Sequence, residues 1–509
     1  MNIHLFLEMA ADAAPDRIAI GTRATGITYG ELLAMSRRAA QKMIDAPIRT
    51  VTYCGLNRPE VPVALFAASL AGKPFTPLNY RLPDADLKRL LERSAPSLTL
   101  CDADIVKRCE GVADIHLQSV DAFFAECAHR DTDAQESGAQ ELAESTEDIA
   151  VVLFTSGTTA EPKAAILRHS NLVNYVLSTL EFLSADESEA ALISVPPYHI
   201  AGMSALLTSV YCGRRIVSLP AFDPGVWVDT VIAEGITHAM VVPTMLKRIV
   251  EVIAERNVTL PSLRALSYGG GRMPAAVIER AMDLLPEVGF VNAYGLTETS
   301  STIAILDPAS HREAKASGTP EGRRRLSSVG KPLPHLELEI RDENEAAVPA
   351  GVVGEIWVRG SQVSGEYEGR KVIRDDGWFP TNDAGWIDDE GFLFVEGRLD
   401  DVIVRGGENI SPAEIEDVLI TNSQIDDVAV VGLPDEEWGE KIVAAIVVNA
   451  PVCIDQLKNQ VRERLRSTRV PSVFVLRETL PYNDTGKLLR RQLRQELAAN
   501  ISASDAAVG

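Results

Sequence analysis

Short apolar runs alternate with amphipathic stretches along most of the chain, and this alternation limits the fold more than any single motif does. Strands separated by helices pair most readily in parallel, because each helix returns the chain to the edge from which the next strand starts. The pattern therefore predicts an α/β protein with largely parallel sheets. Residues 60–72 and 84–93 read as helices, with Phe75-Thr76-Pro77-Leu78-Asn79 as a short strand and turn between them. Past residue 350 the texture changes to short strands and Gly/Asp turns, as in Gly354-Glu355-Ile356-Trp357-Val358-Arg359-Gly360 and Gly391-Phe392-Leu393-Phe394-Val395. These predict antiparallel β structure. Gly397-Arg398-Leu399-Asp400-Asp401 then opens a last segment of mixed helices and strands, small enough for a separate lid. Two connections read as irregular: the polar, acidic stretch 128–148, and the stretch from Ser310 to Leu326, where Arg323-Arg324-Arg325 follows Gly322 as a solvated excursion.

At 509 residues the chain is too long for one core and should divide into at least two domains. Its 46% apolar and 24% charged content is that of a soluble globular protein. A formal charge of −23 disfavours nucleic acid as a partner. The amino terminus has no basic region followed by an apolar stretch, and nowhere do roughly 18 apolar residues run uninterrupted, so the expectation is a cytoplasmic protein without membrane insertion. The six cysteines (Cys54, Cys101, Cys109, Cys127, Cys212, Cys453) show no Cys-x-x-Cys spacing, which argues against zinc and against a disulfide framework. They read as ordinary core or surface thiols.

Several motifs carry chemistry. Val151-Val152-Leu153-Phe154 runs into Thr155-Ser156-Gly157-Thr158-Thr159-Ala160-Glu161-Pro162-Lys163. Hydroxyl and N–H donors there can converge on one anion and the lysine adds a point charge, although the same cluster also makes a plain turn. Its spacing is not that of a P-loop. Pro196-Pro197-Tyr198-His199, followed by Ile200-Ala201-Gly202-Met203-Ser204, is either a pocket wall or a structural strand end. Gly269-Gly270-Gly271 is either a turn or a flat backbone surface for a planar ring. Asn292-Ala293-Tyr294-Gly295-Leu296-Thr297-Glu298 sets a hydroxyl beside a carboxylate, a pair suited to a phosphate and its magnesium, or to a helix start. Asp383, after Thr381-Asn382, can accept both hydroxyls of a ribose or serve a turn. Arg398 can bridge ribose and phosphate or pair with Asp400 or Asp401. Lys487, in Pro481-Tyr482-Asn483-Asp484-Thr485-Gly486-Lys487, would alone be a surface charge.

In this order and spacing the motifs resemble the adenylate-forming superfamily of acyl-CoA synthetases, non-ribosomal adenylation domains and luciferases, and the acyl-CoA ligases most of all. The likeness runs from Ile27-Thr28-Tyr29-Gly30-Glu31-Leu32 through Ala71-Gly72-Lys73-Pro74 to Lys487. Its most specific carriers are the 155–163 loop, Tyr294-Gly295-Leu296-Thr297-Glu298, and Gly397 to Asp401 continuing through Gly406-Gly407-Glu408-Asn409-Ile410-Ser411-Pro412. It implies a large N-terminal domain over 1–398 with two αβ sheets and a small β-barrel-like subdomain, a hinge at 399–401, and a small mobile α+β lid over 402–509.

The activity it implies is ligation of a carboxylic acid to coenzyme A. The acid attacks the α-phosphate of Mg·ATP to give an acyl-adenylate and pyrophosphate, and the thiol then displaces AMP. By the same resemblance Thr155, Ser156, Gly157, Thr158, Thr159 and Lys163 hold the outer phosphates, Thr297 meets the α-phosphate and Glu298 binds Mg²⁺. Asp383 and Arg398 take the ribose; Gly269, Gly270, Gly271, Asn292, Ala293, Tyr294 and Gly295 frame adenine and acyl group. His199, Gly202 and Ser204 line the acyl pocket, with His199 at the reacting end. Lys487 offsets transition-state charge in the first step, Asp400 is the hinge residue, and Arg405, Gly406 and Gly407 line the coenzyme A tunnel after the lid swings.

Departures from the family pattern refine this. Ala160 and Ala164 stand where glycine is common. If position 160 needs positive φ, its Cβ costs roughly 1–2 kcal/mol and crowds pyrophosphate. Adenylation would then suffer while thioesterification of an acyl-adenylate, supplied by a separate adenylating partner enzyme, survives. Asn382 replaces a glycine, and Arg469, in Ser467-Thr468-Arg469-Val470-Pro471, stands near a usual lysine at the coenzyme A end. The small residues Ala201, Gly202, Ser204 and Gly269–Gly271 predict a wide pocket and a bulky apolar acid. Transfer of the acyl group to a carrier protein or an amine is the alternative reaction. A non-catalytic acyl-adenylate binder is the third reading, and retention of Lys487, Glu298 and Asp383 speaks against it.

Overall fold

The computed structural model describes the chain except residues 130–147, 156–161, 407, 436, 484, 485 and 507–509. Two large sheets form its body. One has eight strands, whose central members Phe75–Pro77, Thr50–Cys54, Ser97–Cys101 and Ile115–Ser119 are parallel, with Ile149–Thr155 joining Phe75–Pro77 in parallel as well. The other has nine, including the parallel series Arg215–Ser218, Ala190–Ile193, His238–Val241, Ala265–Gly269 and Gly289–Leu296. The strand–helix alternation is thus realised as two α/β layers.

The main core lies between these sheets. Phe6, Leu32, Phe66 and Leu207 from helices pack with Tyr53, Phe75 and Val151 of one sheet and Ile193 and Ile216 of the other. The helix Glu60–Leu70 is buried at every position from Glu60 to Ser69, which explains why its sequence shows almost no polar face. A second core, around Trp227, Leu246, Tyr268 and Phe290, covers the outer side of the nine-stranded sheet.

Past residue 330 the strands Glu337–Arg341, Gly354–Arg359, Phe379–Ile387 and Leu393–Arg398 form an antiparallel sheet, as their alternation predicts. From Arg398 the chain passes through the 3₁₀ turn Leu399–Asp401 into a five-stranded sheet built on the hairpin of Ile425–Asp435 and Gly439–Val448. This sheet has a core of its own, with Ile403, Ile415, Val430, Ile442 and Leu457 fully buried.

One expectation is corrected. The stretch Ser310–Leu326 is not an irregular excursion but two short helices, Pro308–Ser317 and Pro320–Leu326, each opened by proline and capped by Asp307 or Thr319. The run of charges masks those caps: Leu326 and Ala314 are buried while Arg323 points outward to Glu279. The acidic connection falls largely within 130–147, outside the described residues.

Candidate active site at the strand ends

The site assembles where the parallel strands finish, the usual ligand position in open α/β sheets. Strand Ile149–Thr155 pairs antiparallel with strand Lys163–Arg168, with Thr155 opposite Lys163. Ser156, Gly157, Thr158, Thr159 and Ala160 lie outside the described residues. Ala164 is buried in regular strand pairing with Phe154, and a methyl there is ordinary strand packing.

Lys163 Nζ lies 5.6 Å from the ring centre of Tyr367. The strand Glu366–Tyr367 pairs with Lys163–Arg168 through Tyr367 and Ala165, and the Tyr367 hydroxyl donates a short hydrogen bond to the Glu298 carboxylate. Burial first, then the Glu298 charge, pushes the Tyr367 phenol above its usual pKa, so it remains a donor. The Glu298 carbonyl accepts N–H bonds from Ser364 (2.8 Å) and Gly365 (3.1 Å), which fastens this segment to the 3₁₀ turn Thr297–Thr299. Gly295 must lack a side chain: a Cβ would sit 1.8 Å from the Ser301 carbonyl oxygen.

Asp383 and Arg398 are register partners on neighbouring strands and pair at 3.0 Å. The other Asp383 oxygen accepts the Tyr294 hydroxyl at 2.6 Å. Arg398 therefore pairs with Asp383, not with Asp400 or Asp401. Burial, with Asp383 next, pushes the Tyr294 phenol well up. Gly269 abuts the Ala293 carbonyl, with only 2.2 Å available to a Cβ, while Gly270 takes φ +77° and Gly271 lies beside Pro243. The Asn292 side chain is buried and donates to the Ser328 carbonyl at 2.9 Å.

His199 immediately precedes the helix Ile200–Cys212, its ring centre 5.2 Å from that of Tyr198. Gly202 permits that helix to approach the Pro196 carbonyl, which a Cβ would meet at 2.6 Å. Ser204 accepts a 3.1 Å bond from Ser301, which has the left-handed φ of 115° and follows Ser300 at φ 57°.

The C-terminal sheet leans on this site. Gly486, at φ +72°, packs so tightly on Thr244 that a Cβ would lie 2.2 Å from its hydroxyl. Lys487 follows, held by its N–H to Asn483 Oδ1 at 2.8 Å. Thr244 lies in the first turn of the helix Pro243–Arg256, and Val242 and Pro243 at the start of that helix flank Gly270 and Gly271. Asn382, at φ 60°, donates its amide to Asp400 at 3.0 Å. Arg405 donates to the Thr468 carbonyl and lies 5.4 Å from the ring of the exposed Trp438, whose carbonyl takes the Gly406 N–H. Gly407 lies outside the described residues. Arg469 is engaged by Glu408 and by Glu414 at 3.0 Å, so it is not a free charge for coenzyme A.

Residues 7–368 match the family model described as AMP-binding enzyme, and residues 414–487 match the AMP-binding enzyme C-terminal domain. The chain belongs to the AMP-binding enzyme family. It is 32% identical over 497 residues to a feruloyl-CoA synthase of Amycolatopsis, covering 95% of this chain and 97% of that one. Among solved structures it resembles the o-succinylbenzoate CoA synthetase of Bacillus subtilis in complex with its acyl-adenylate intermediate, with a TM-score of 0.82, 29% identity, and 96% and 97% of the two chains covered. The same enzyme with ATP and magnesium ion gives a TM-score of 0.82 at 29% identity, over 96% of this chain and 98% of that one. Among the described residues, no helix is long and apolar enough to cross a membrane.

Within this AMP-binding architecture Tyr367, Thr244 and Trp438 escaped the reading of motifs. Tyr367 sits in Gly365-Glu366-Tyr367-Glu368-Gly369, a run that resembles any short surface hairpin. Only pairing to Lys163–Arg168 brings its hydroxyl to Glu298.

Proposed function

We propose that this chain is a carboxylic acid–CoA ligase acting through an acyl-adenylate on an acid with a bulky, apolar, aromatic body. The observation that carries the reading is the grouping of Lys163 with Tyr367 and Glu298, and of Asp383 with Tyr294 and Arg398, at the strand ends. The small residues Ala201, Gly202, Ser204 and Gly269–Gly271, and relatives named for feruloyl and succinylbenzoate, support an aromatic acid.

In the first step Lys163 and the hydroxyls around Thr155 steady the outer phosphates of ATP. Glu298 fits the accompanying magnesium: it is an acceptor-only carboxylate oriented by one phenol donor and beside the Thr297 hydroxyl, and the ion supplies neutralisation of phosphate charge. Asp383 exchanges its Tyr294 bond for the ribose hydroxyls, and Arg398 stays paired to hold the carboxylate in place. Lys487 meets the charge that builds between acid and α-phosphate.

Residues 402–509 then turn about 399–401 relative to 1–398, withdrawing Lys487 and bringing Arg405, Gly406 and Gly407 to the coenzyme A thiol. We place the activity in the cytoplasm, where ATP and coenzyme A are supplied. A panel of aromatic and aliphatic acids with Mg·ATP and coenzyme A should give thioester, AMP and pyrophosphate with the aromatic acids preferred. Lys487→Ala should lower pyrophosphate release by about a hundredfold or more while sparing thioester formation from synthetic acyl-adenylate. Acyl transfer to amines or carrier protein but not to coenzyme A would sink the reading.

A further inference from the structure

Three of the six cysteines are gathered by the fold, contrary to their dispersed sequence positions. Cys54 ends strand Thr50–Cys54 and Cys101 ends the neighbouring parallel strand Ser97–Cys101, where the two are direct register partners. Cys109 closes the helix Ala103–Cys109, which packs back over those strand ends. The three sulfurs lie within 4.8 Å of one another, with Cys101 and Cys109 3.7 Å apart. All three residues are fully buried, and Leu78, Leu87, Leu90, Leu91 and Ile105 wall the cluster with apolar groups.

We propose that Cys54, Cys101 and Cys109 form a buried three-sulfur site for a soft monovalent d¹⁰ metal ion, copper(I). An ion about 2.3 Å from each of three sulfurs in a plane needs them about 4 Å apart, and these thiols approach that spacing without rearrangement of the strands. Zinc fits less well, because its structural sites close with a fourth ligand. The carboxylate next in sequence, Asp102, is committed elsewhere: one oxygen takes the Leu56 N–H at 2.7 Å and the other takes Arg58 at 2.8 Å. Three thiolates with no oxygen donor select a soft ion. Each coordinating thiol releases its proton to solvent on binding.

The site is remote in character from the ligase chemistry but connected to the scaffold. Gly55 follows Cys54 and packs against Asp102, and Asn57 donates its amide to the Ile193 carbonyl of the other large sheet at 2.7 Å. An ion there would pin the segment that ties the two sheets together.

The test uses the full-length protein, reduced, metal-free and anaerobic, titrated with copper(I) held by the chelator bathocuproine disulfonate, both as folded and after refolding with the ion present. One equivalent should transfer per chain, and X-ray absorption should show a shell of three sulfurs. Cys54→Ala, Cys101→Ala and Cys109→Ser should each weaken capture by more than about a hundredfold, beyond the 10–100-fold typical of changes outside the ligand shell. Cys453→Ser, which alters the exposed cysteine, should leave capture unchanged. The X-ray absorption measurement needs only the unaltered protein, so it decides even if a variant fails to fold. No transfer under either loading, a shell with fewer sulfurs, capture that depends on Cys453, or displacement of copper(I) by equimolar zinc would overturn the proposal.

Discussion

Tyr367 shows how much a single hydroxyl can set. Its proton orients the Glu298 carboxylate, and a hydrogen bond to a charged group contributes about 1.5–3 kcal/mol where it is shielded from water. Tyr367→Phe keeps the ring beside Lys163 and removes only that donor. Adenylation should slow by about 10- to 100-fold, with the Mg·ATP dependence weakened, while thioesterification of supplied acyl-adenylate holds. Ala160 makes the complementary case. If its backbone needs positive φ, Ala160→Gly should raise pyrophosphate release about 5- to 30-fold, the kinetic equivalent of 1–2 kcal/mol, with no gain in the second half-reaction. An unchanged first half-reaction would place Ala160 at ordinary negative φ. Residues of this kind divide by legibility. Glu298, Asp383 and Lys487 stand out as candidates in the sequence because their motifs are contiguous in the chain. Tyr367, Thr244 and the three-cysteine cluster were not, because sheet pairing and packing between distant segments, not spacing, bring them to their partners.

At the scale of elements, periodicity told most where burial is one-sided or strand pairing is local. The antiparallel strands past residue 350 alternate, and the apolar run Val151–Phe154 marks the strand Ile149–Thr155, whereas its antiparallel partner Lys163–Arg168 carries no such signal. It told least where helices are capped by residues that also belong to loops, as in Asp307-Pro308 and Thr319-Pro320. The lid's last helix, Arg490–Ala506, depends on one such invisible anchor. Arg490 meets both oxygens of Glu416 at 2.6 and 2.8 Å and the Val430 carbonyl at 2.7 Å. Removing one partner of a largely buried ion pair strands the other, so Arg490→Met should cost the lid about 2–4 kcal/mol, the lower part of the range reflecting partial exposure. Differential scanning calorimetry should show one transition lowered. A second element-level contact reaches the 3₁₀ turn Leu399–Asp401, the proposed hinge. Asn382→Gly keeps the left-handed backbone and loses only the bond to Asp400, worth about 0.5 kcal/mol at an exposed site. Fluorescence energy transfer between labels on the body and the lid should register a roughly twofold shift away from the arrangement with Lys487 at the site.

For the whole molecule, acid is the condition to which the body should be most sensitive, and buried histidines supply the reason. His169 is nearly inaccessible, its Nδ1 accepts the Ile3 N–H at 3.3 Å, and burial lowers its pKa from 6.5 to about 4. His238 is lowered to about 4 as well, again first by burial, and His311 is lowered in the same direction. In each case the unfolded chain binds the proton more readily than the folded one. The stability these histidines contribute is therefore fully present above pH 6.5 and is lost as the pH falls from 6.5 toward about 4. For His169 alone the loss is roughly 2–3 kcal/mol. It falls on the contact between the amino terminus and the helix His169–Thr179, which helps close the core between the two large sheets. His169→Gln offers the Ile3 N–H a neutral acceptor that does not titrate. Urea unfolding followed at successive pH values from about 7 to about 4.5 should show a shallower acid limb for this variant than for the unaltered protein. Equal slopes would mean that His169 is as easily protonated in the fold as in the unfolded chain, and that the acid sensitivity resides elsewhere.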